Sequence, residues 1–155
     1  MSVSTRLKSF LEENKVHYTP MSHTPVYTAQ AAAAVMHVSG KEVAKTTVVQ
    51  AGEQMILAVL PAAAHIHFGR LGALVGTSVR LASEREFMDK FPDCELGAMP
   101  PFGNLYKLPV YVDEKLAADE EIVFNAGTHR DAIRMRYEDF ARLAQPTVGN
   151  FADKG

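Results

Sequence analysis

Apolar residues recur at helical spacing near the start of the chain. Ser4 precedes Leu7, Phe10 and Leu11, which stand at positions i, i+3 and i+4, so the pattern predicts a capped amphipathic helix. Similar caps, with glycine or proline as stops, predict four further short helices. The predicted helices span residues 4–14, 29–37 with Gly40 as the stop, 66–74 closed by Gly76, 83–90 with capping-box spacing from Ser83 to Glu86, and 136–143.

Short runs rich in strand-forming residues alternate with these helices. Residues 44–50 and 55–60 flank the sequence Ala-Gly-Glu-Gln, which predicts a β-hairpin. The chain from Thr147 onward is expected to be flexible. The pattern predicts an α+β, mixed α/β domain, in which short helices surround a curled, barrel-like and mostly antiparallel mixed sheet. The remaining predicted strands are residues 16–22, 79–82, 109–112, 122–125 and 132–136.

Composition is that of an ordinary soluble protein. The 155 residues are 47% hydrophobic and 22% charged, which fits one domain over residues 1–155. Sixteen Lys and Arg against eighteen Asp and Glu give a net charge of −2, which argues against nonspecific nucleic-acid binding by a positive coat. No secretory signal and no apolar run of about 18 residues is evident, so we expect a cytoplasmic protein with no membrane partner.

Lys45 is the first candidate for chemistry. It lies at the mouth of an apolar strand, in the sequence Gly-Lys-Glu-Val-Ala-Lys-Thr-Thr. An ammonium fixed beside a cleft suits an anionic or carbonyl-rich ligand, because it supplies positive charge with three donors. The alternative is a strand-end lysine that extends its ammonium into water.

A stiff loop, Gly-Ala-Met-Pro-Pro-Phe-Gly, is the second candidate. The backbone amides of Gly97, Ala98 and Met99 could bind an oxyanion that develops during acyl transfer. Pro100 and Pro101 have no N–H group, so they can shape such a site but cannot donate to it. The alternative is a rigid connection between two elements.

The sequence Asn-Ala-Gly-Thr-His is the third candidate. Here a strand ends at Gly127, and His129 follows beside the hydroxyl of Thr128. The imidazole could act as a general base or as a hydrogen-bonding reader of the ligand. The alternative is a surface histidine in a turn.

Two other features are weaker. His65 and His67 look like a metal pair, but no further ligands follow at a recognisable spacing, and residues i and i+2 of a helix face apart. Cys94 is the single cysteine, which excludes an internal disulfide. The flanking Asp93 and Glu95 should raise its pKa and reduce the thiolate fraction. A metal-dependent or cysteine-dependent hydrolase is therefore a minor alternative.

In order along the chain, the three candidate segments resemble the YbaK/prolyl-tRNA-synthetase-associated editing domain family. The matching motifs are Gly-Lys-Glu-Val-Ala-Lys-Thr, Asp-Cys-Glu-x-Gly-Ala-x-Pro-Pro-Phe-Gly and Asn-Ala-Gly-Thr-His. His23-Thr24-Pro25 and Thr28-Ala29-Gln30 fit the same pattern. The resemblance covers about residues 5–146, which is nearly the whole chain.

The resemblance implies a free-standing trans-editing factor that hydrolyses the ester of a mischarged aminoacyl-tRNA. The paired prolines resemble the alanine-removing branch, so alanine on tRNA(Pro) or a related tRNA is the implied substrate. In the family the terminal ribose hydroxyl helps to activate water, with no metal or other cofactor. The implied partners are mischarged tRNA and, as a further candidate, an aminoacyl-tRNA synthetase, but not DNA. The alternative is a non-catalytic module of the same fold that binds the tRNA acceptor end or acts as a regulator.

Matching positions also assign roles to residues. Lys45 would place the terminal adenosine and its phosphate, and Gly97, Ala98 and Met99 would donate to the scissile carbonyl. Met99 stands where valine is frequent in the family, which bears on the amino acid removed. The pocket would be bordered by Thr46, Pro100, Pro101, Gly127, Thr128 and His129. Because the net charge is weakly negative, we expect tRNA to be held mainly at its acceptor end by a few cations, among them Lys41, Arg70 and Arg130.

Overall fold

The computed structural model describes residues 4–39 and 41–154. Within those residues the chain forms six α-helices and ten β-strands, with short 3₁₀ turns at Met88–Lys90 and Gly103–Tyr106. In chain order the elements are α1 (Thr5–Glu13), β1 (Tyr18–Ser22), α2 (Ala29–Val35), β2 (Val43–Ala51), β3 (Gln54–Pro61), β4 (Ala64–Ile66), α3 (Phe68–Val75), β5 (Val79–Leu81), α4 (Glu84–Phe87), β6 (Val110–Asp113), α5 (Glu114–Ala117), β7 (Glu121–Asn125), β8 (Asp131–Arg136), α6 (Tyr137–Ala144), β9 (Thr147–Gly149) and β10 (Ala152–Lys154).

One large mixed sheet organises the domain, which confirms the predicted fold class. Its strand order is β1-β8-β7-β2-β3-β6-β9, with β5 paired to β2, and β4 and β10 form a separate ribbon. Among the described residues, five pairings are antiparallel and three are parallel. The pairing does not show the expected barrel, because β1 and β9 lie at opposite ends of the order.

The central strand β3 is buried on both faces of this sheet. Leu57 and Val59 pack into the core that also contains α1 and α6, whereas Ile56 and Leu60 pack into a second core beneath α3. Successive strand residues point to opposite faces, so a continuous apolar run is what a doubly covered strand requires. Helices therefore cover both faces of the sheet.

Most of the predicted elements are present, with shifted ends. The 44–60 hairpin is confirmed as β2 and β3, and the Ser83–Glu86 capping box opens α4. The helix expected from residue 66 begins at Phe68, because residues 64–66 form β4 and the ring of His67 caps α3 by accepting from the Arg70 amide at 3.0 Å. Gly40, the expected stop of the second helix, lies outside the described residues. None of the helices in the described ranges is long and apolar enough to cross a membrane.

The expectation of a flexible tail from Thr147 is wrong for the residues the structure describes. β9 pairs with β6, β10 pairs with β4, and Phe151 is fully buried. The buried carboxylate of Asp113 accepts hydrogen bonds from the amides of Phe151 and Ala152, each at 2.9 Å. The tail is therefore held by Asp113, which lies 38 residues before Phe151 in the sequence. A local hydrophobic pattern cannot reveal a contact over that separation.

Asp113→Ala should destabilise the protein, because it removes the acceptor for two buried amides. Each unsatisfied buried donor costs about 1–3 kcal/mol, so we expect the loss of two to lower the free energy of unfolding, measured with urea, by about 2–6 kcal/mol. Asp113→Asn keeps one side-chain oxygen and should lose less. Equal losses in the two variants, or a loss below about 1 kcal/mol in Asp113→Ala, would contradict this role.

Candidate active site

A gap in the sheet lies beside β2. On one edge, β2 pairs with β7 at Val43 and Ala44 and with β5 from Val49 to Ala51. The intervening stretch from Lys45 to Thr47 has no strand partner on that edge among the described residues. A cavity of about 340 Å³ opens there. Since it lies at a strand edge rather than over one face, consecutive residues of β2 border it.

The cavity brings together residues from all three candidate segments. Lys45 and Thr46 on β2 line the same cavity as the loop residues Gly97 and Met99. Asn125, at the end of β7, represents the third segment. The complete lining is Thr28, Gln30, Ala44, Lys45, Thr46, Thr47, Ala62, His65, Gly97, Met99 and Asn125.

Lys45 is half-buried at this cavity. Burial lowers the pKa of its ammonium, because removal from water disfavours the charged form. No carboxylate in the described part of the chain forms an ion pair with it. The charge of Lys45 therefore has no ionic partner among the described residues, and Lys45 lines a cavity with both polar and apolar walls.

A tight turn presents Gly97 to the cavity. The Ala98 amide donates to the carbonyl of Glu95 at 3.0 Å, and Gly97 has a φ of +85°. That geometry fits a type II turn, which favours glycine at its third position. Because the Ala98 amide is already engaged, its predicted role as a donor to substrate is not supported by this geometry. The amides of Gly97 and Met99 make no hydrogen bond within residues 4–39 and 41–154, so they are the available donors.

Gly127 and Thr128 hold the loops in place rather than lining the cavity. The Gly127 amide donates to the Ala98 carbonyl at 2.9 Å, and the Gly127 carbonyl accepts from the Glu95 amide at 2.8 Å. Thr128 is 1% exposed, and its hydroxyl donates to Asp131 at 2.6 Å. Gly127 thus positions the Gly97 turn, and Thr128 stabilises its own corner through Asp131, where contact with substrate was predicted for both residues.

His129 lies one layer behind the cavity. Its backbone amide donates to the Glu95 carboxylate at 2.8 Å, and its ring Nε2 donates to the Leu96 carbonyl at 2.6 Å. The ring of Tyr27 packs against the imidazole with centroids 4.7 Å apart. The imidazole therefore supports the Gly97 turn through Nε2, which leaves Nδ1 as the ring's acceptor atom. Nδ1 is hidden from solvent and has no hydrogen-bond partner among the described residues.

The two prolines are buried and do not line the cavity. Pro100 and Pro101 continue the loop from Met99 into the core, where Phe102 is fully buried. Their fixed φ angles stiffen the loop on which the Gly97 and Met99 amides lie.

Five polar residues at the cavity were not among the predicted site residues: Thr28, Gln30, Thr47, His65 and Asn125. Thr28 and Gln30 belong to the segment Thr28-Ala29-Gln30, which fits the pattern of the resemblance but received no role at the site. The Thr28 hydroxyl caps α2 by accepting from the Ala31 amide at 3.0 Å. Asn125 is the last residue of β7 and directly precedes the Ala-Gly-Thr-His corner. Its position at the end of a strand that leads into a candidate segment was the signal that could have identified it.

The structure offers Cys94 no role as a nucleophile. Its sulfur lies 3.2 Å from the hydroxyl of Tyr106, and burial, followed by the nearby charge of Asp93, raises the pKa of the thiol to about 11. A thiol with such a pKa is almost entirely protonated at neutral pH. The His65/His67 pair is also split, since His67 caps α3, and no group of three or more metal-ligating side chains comes together among the described residues.

The three predicted tRNA-binding cations are dispersed. Arg70 forms an ion pair with Asp153, and Lys41 borders a different cavity beside Lys115. Arg130 is exposed next to the Thr128 corner. Arg130 is thus the predicted cation nearest in sequence to the loops that form the site.

A family model described as the aminoacyl-tRNA editing domain matches residues 23–143. The chain therefore belongs to the aminoacyl-tRNA editing domain family, and it is an aminoacyl-tRNA deacylase, a hydrolase of the ester between amino acid and tRNA. A curated relative from Escherichia coli K12, named multifunctional Ser/Thr-tRNA deacylase ProXp-y, is 29% identical over 152 residues. The match covers 94% of this chain and 90% of the relative.

Solved structures show the same fold. A hypothetical protein superposes with a TM-score of 0.87 at 19% identity, covering 96% of this chain and 99% of the other. A protein described as a candidate trans-editing enzyme for prolyl-tRNA synthetase superposes with a TM-score of 0.83 at 22% identity, covering 97% of this chain and 96% of the other. At these identities the likeness establishes the architecture.

Gly97→Ala should damage activity more than stability. A side chain at a φ of +85° is strained, and the new Cβ would lie 3.4 Å from Cε1 of His129, so the amide donors should shift. We expect deacylation to fall at least about tenfold, as when an oxyanion donor is displaced. Gly76→Ala is the matched control, because its φ is +96° with no atom within 4 Å of the new Cβ. Equal deacylation rates in the two variants would contradict the assignment.

Proposed function

We propose that this chain is a free-standing trans-editing factor that removes a small amino acid from mischarged tRNA, with alanine on tRNA(Pro) or a related tRNA as the first candidate. The observation that carries the proposal is the shared cavity, which is lined both by the half-buried Lys45 and by Gly97 and Met99, whose amides are unengaged. A cation opposite two backbone donors suits an ester whose carbonyl oxygen gains negative charge during hydrolysis.

The reaction needs little from the protein because an aminoacyl ester is already activated. Water adds to the carbonyl carbon, and the amides of Gly97 and Met99 stabilise the resulting oxyanion. The bond to the terminal ribose oxygen then breaks, and that oxygen takes up a proton originating from water. The products are the free amino acid and intact tRNA. Lys45 holds the nucleotide end by its charge, so positioning and electrostatics supply the catalysis.

The alanines that line the cavity support a small amino acid as the group removed. Ala44 and Ala62 lie in the cavity wall, and Met99 lines it on the loop side. One extra methylene changes selectivity by about 1–3 kcal/mol in such pockets. The paired prolines, which resemble the alanine-removing branch, further support alanine. An aminoacyl-tRNA synthetase remains a candidate partner for delivering the tRNA.

Serine or threonine is the second candidate, and the hydroxyl of Thr46 favours it. Thr46 lines the cavity, and its hydroxyl is hidden from solvent with no hydrogen-bond partner among the described residues. A buried polar group without a partner is costly unless a ligand satisfies it. The relative named as a Ser/Thr-tRNA deacylase supports the same class of substrate.

Lys45→Ala should lower kcat/KM by about 100-fold or more with the fold intact, because the charge that holds the substrate is lost. In the wild type the rate should fall on the alkaline side at a lower pH than an ordinary lysine would allow, since burial lowers the pKa of Lys45. Lys45→Arg stays charged and should lose that alkaline decline.

These rates are measured as release of labelled amino acid, with spontaneous ester hydrolysis subtracted at each pH. A Lys45→Ala variant that folds and deacylates at the wild-type rate would contradict the proposal. Wild-type binding of tRNA without hydrolysis would instead favour the non-catalytic module.

Thr46→Val separates the two substrate classes, because valine has the shape of threonine without the hydroxyl. If the Thr46 hydroxyl binds a substrate hydroxyl, serine release should fall about tenfold while alanine release is unchanged. The measurement is a deacylation panel of Ala-, Ser-, Thr-, Cys- and Pro-charged tRNA. Equal changes for serine and alanine would remove Thr46 as the selective residue.

A further inference from the structure

A second groove adjoins the active-site cavity. It encloses about 280 Å³ and is lined by Lys45, Thr47, His65, Ile66, Phe68 and Leu81. Lys45, Thr47 and His65 also border the first cavity, so the two spaces meet along these residues. A ligand bound in one can therefore extend into the other without leaving the surface.

The outer wall of this groove is apolar and exposed. Phe68 is 39% exposed at the first position of α3, and Leu81 is 55% exposed on β5. Neither belongs to the buried apolar clusters of the described residues. Large apolar side chains gathered at an opening beside a functional cavity indicate a ligand-binding surface.

We propose that this groove binds the terminal nucleobase of the tRNA acceptor end, with the base stacked on Phe68. This inference rests on the proposed function, because it assumes that the ester lies in the first cavity. The ester is attached to the terminal ribose, so the base must lie one sugar away from the carbonyl. With the acyl group between Thr46 and Gly97, the ribose lies at Lys45 and His65, and the base extends over Phe68.

The residue types match each part of that nucleotide. The ammonium of Lys45 attracts the phosphate and ribose oxygens, and the ring of Phe68 offers a flat face to the base. Stacking on an aromatic side chain tolerates any base, which suits a protein that recognises a common 3′ end. The groove also explains how a protein with net charge −2 can hold tRNA, since stacking needs no basic surface.

A binding experiment with the trinucleotide CCA tests the subsite without catalysis. Backbone amide chemical shifts report binding of CCA and of an analogue that lacks the terminal base. Phe68→Ala should weaken CCA binding roughly 5- to 150-fold, the range measured for loss of one base stack. It should leave the base-free analogue unaffected. Phe68→Trp should restore CCA binding, whereas Phe68→Leu should restore it only in part.

Met88→Ala is the matched control, because Met88 is 50% exposed but lies outside the groove. It should bind CCA as the wild type does. Equal binding of CCA and the base-free analogue by the wild type would overturn the proposal. So would equal loss of both ligands in Phe68→Ala, since that pattern indicates a merely structural role.

Hydrolysis of two alanyl esters, one of adenosine and one of ethanol, separates this proposal from the proposed function. Phe68→Ala should raise KM for the adenosine ester and leave the ethyl ester unchanged. If the wild type binds CCA through Phe68 but hydrolyses no aminoacyl ester or aminoacyl-tRNA, the proposed function fails and the subsite stands. If Phe68→Ala alters preference among amino acids without altering base dependence, the groove holds the amino-acid side chain and the subsite proposal fails.

Discussion

Three hydrogen bonds between two distant loops determine where the candidate donors lie. The Glu95 amide donates to the Gly127 carbonyl, the Gly127 amide donates to the Ala98 carbonyl, and the His129 amide donates to the Glu95 side chain. Together they fix the turn that carries Gly97 against the end of β7. The amide donors are thus held by the core of the domain, so they need not reorganise when charge develops on a substrate.

The loops contribute the amide donors of the site, and the gap beside β2 contributes the cavity and Lys45. β7 and β5 occupy the same edge of β2 but stop short of one another, and Lys45 lies between them. A strand edge without a partner exposes side chains of both faces to one cavity. This is why Lys45 and Thr46, which point to opposite faces of the sheet, can serve the same ligand.

The sequence indicated which segments form the site, but not which of their residues line the cavity and which hold the loops in place. Lys45, Gly97 and Met99 could be identified because a lysine in an apolar strand and a glycine in a proline-stiffened loop are locally unusual. The sequence assigns Ala98, Gly127 and Thr128 to the ligand, because nothing local shows that their polar groups already have partners within the protein. Those partners are Glu95 for the Ala98 amide, Ala98 for the Gly127 amide and Asp131 for the Thr128 hydroxyl. The same limit explains why the tail was expected to be flexible, because the hydrogen bond from the Phe151 amide to Asp113 joins residues far apart in the sequence. Hydrophobic periodicity predicts elements well, but long-range hydrogen bonds depend on the tertiary fold.

The most direct test is a crystal structure with 3′-alanylamino-3′-deoxyadenosine, in which an amide replaces the labile ester. The carbonyl oxygen should lie roughly 3 Å from the amide nitrogens of Gly97 and Met99, with the ammonium of Lys45 beside the ribose. A carbonyl directed away from both amides, or an analogue bound outside the cavity at β2, would contradict the proposed deacylation site.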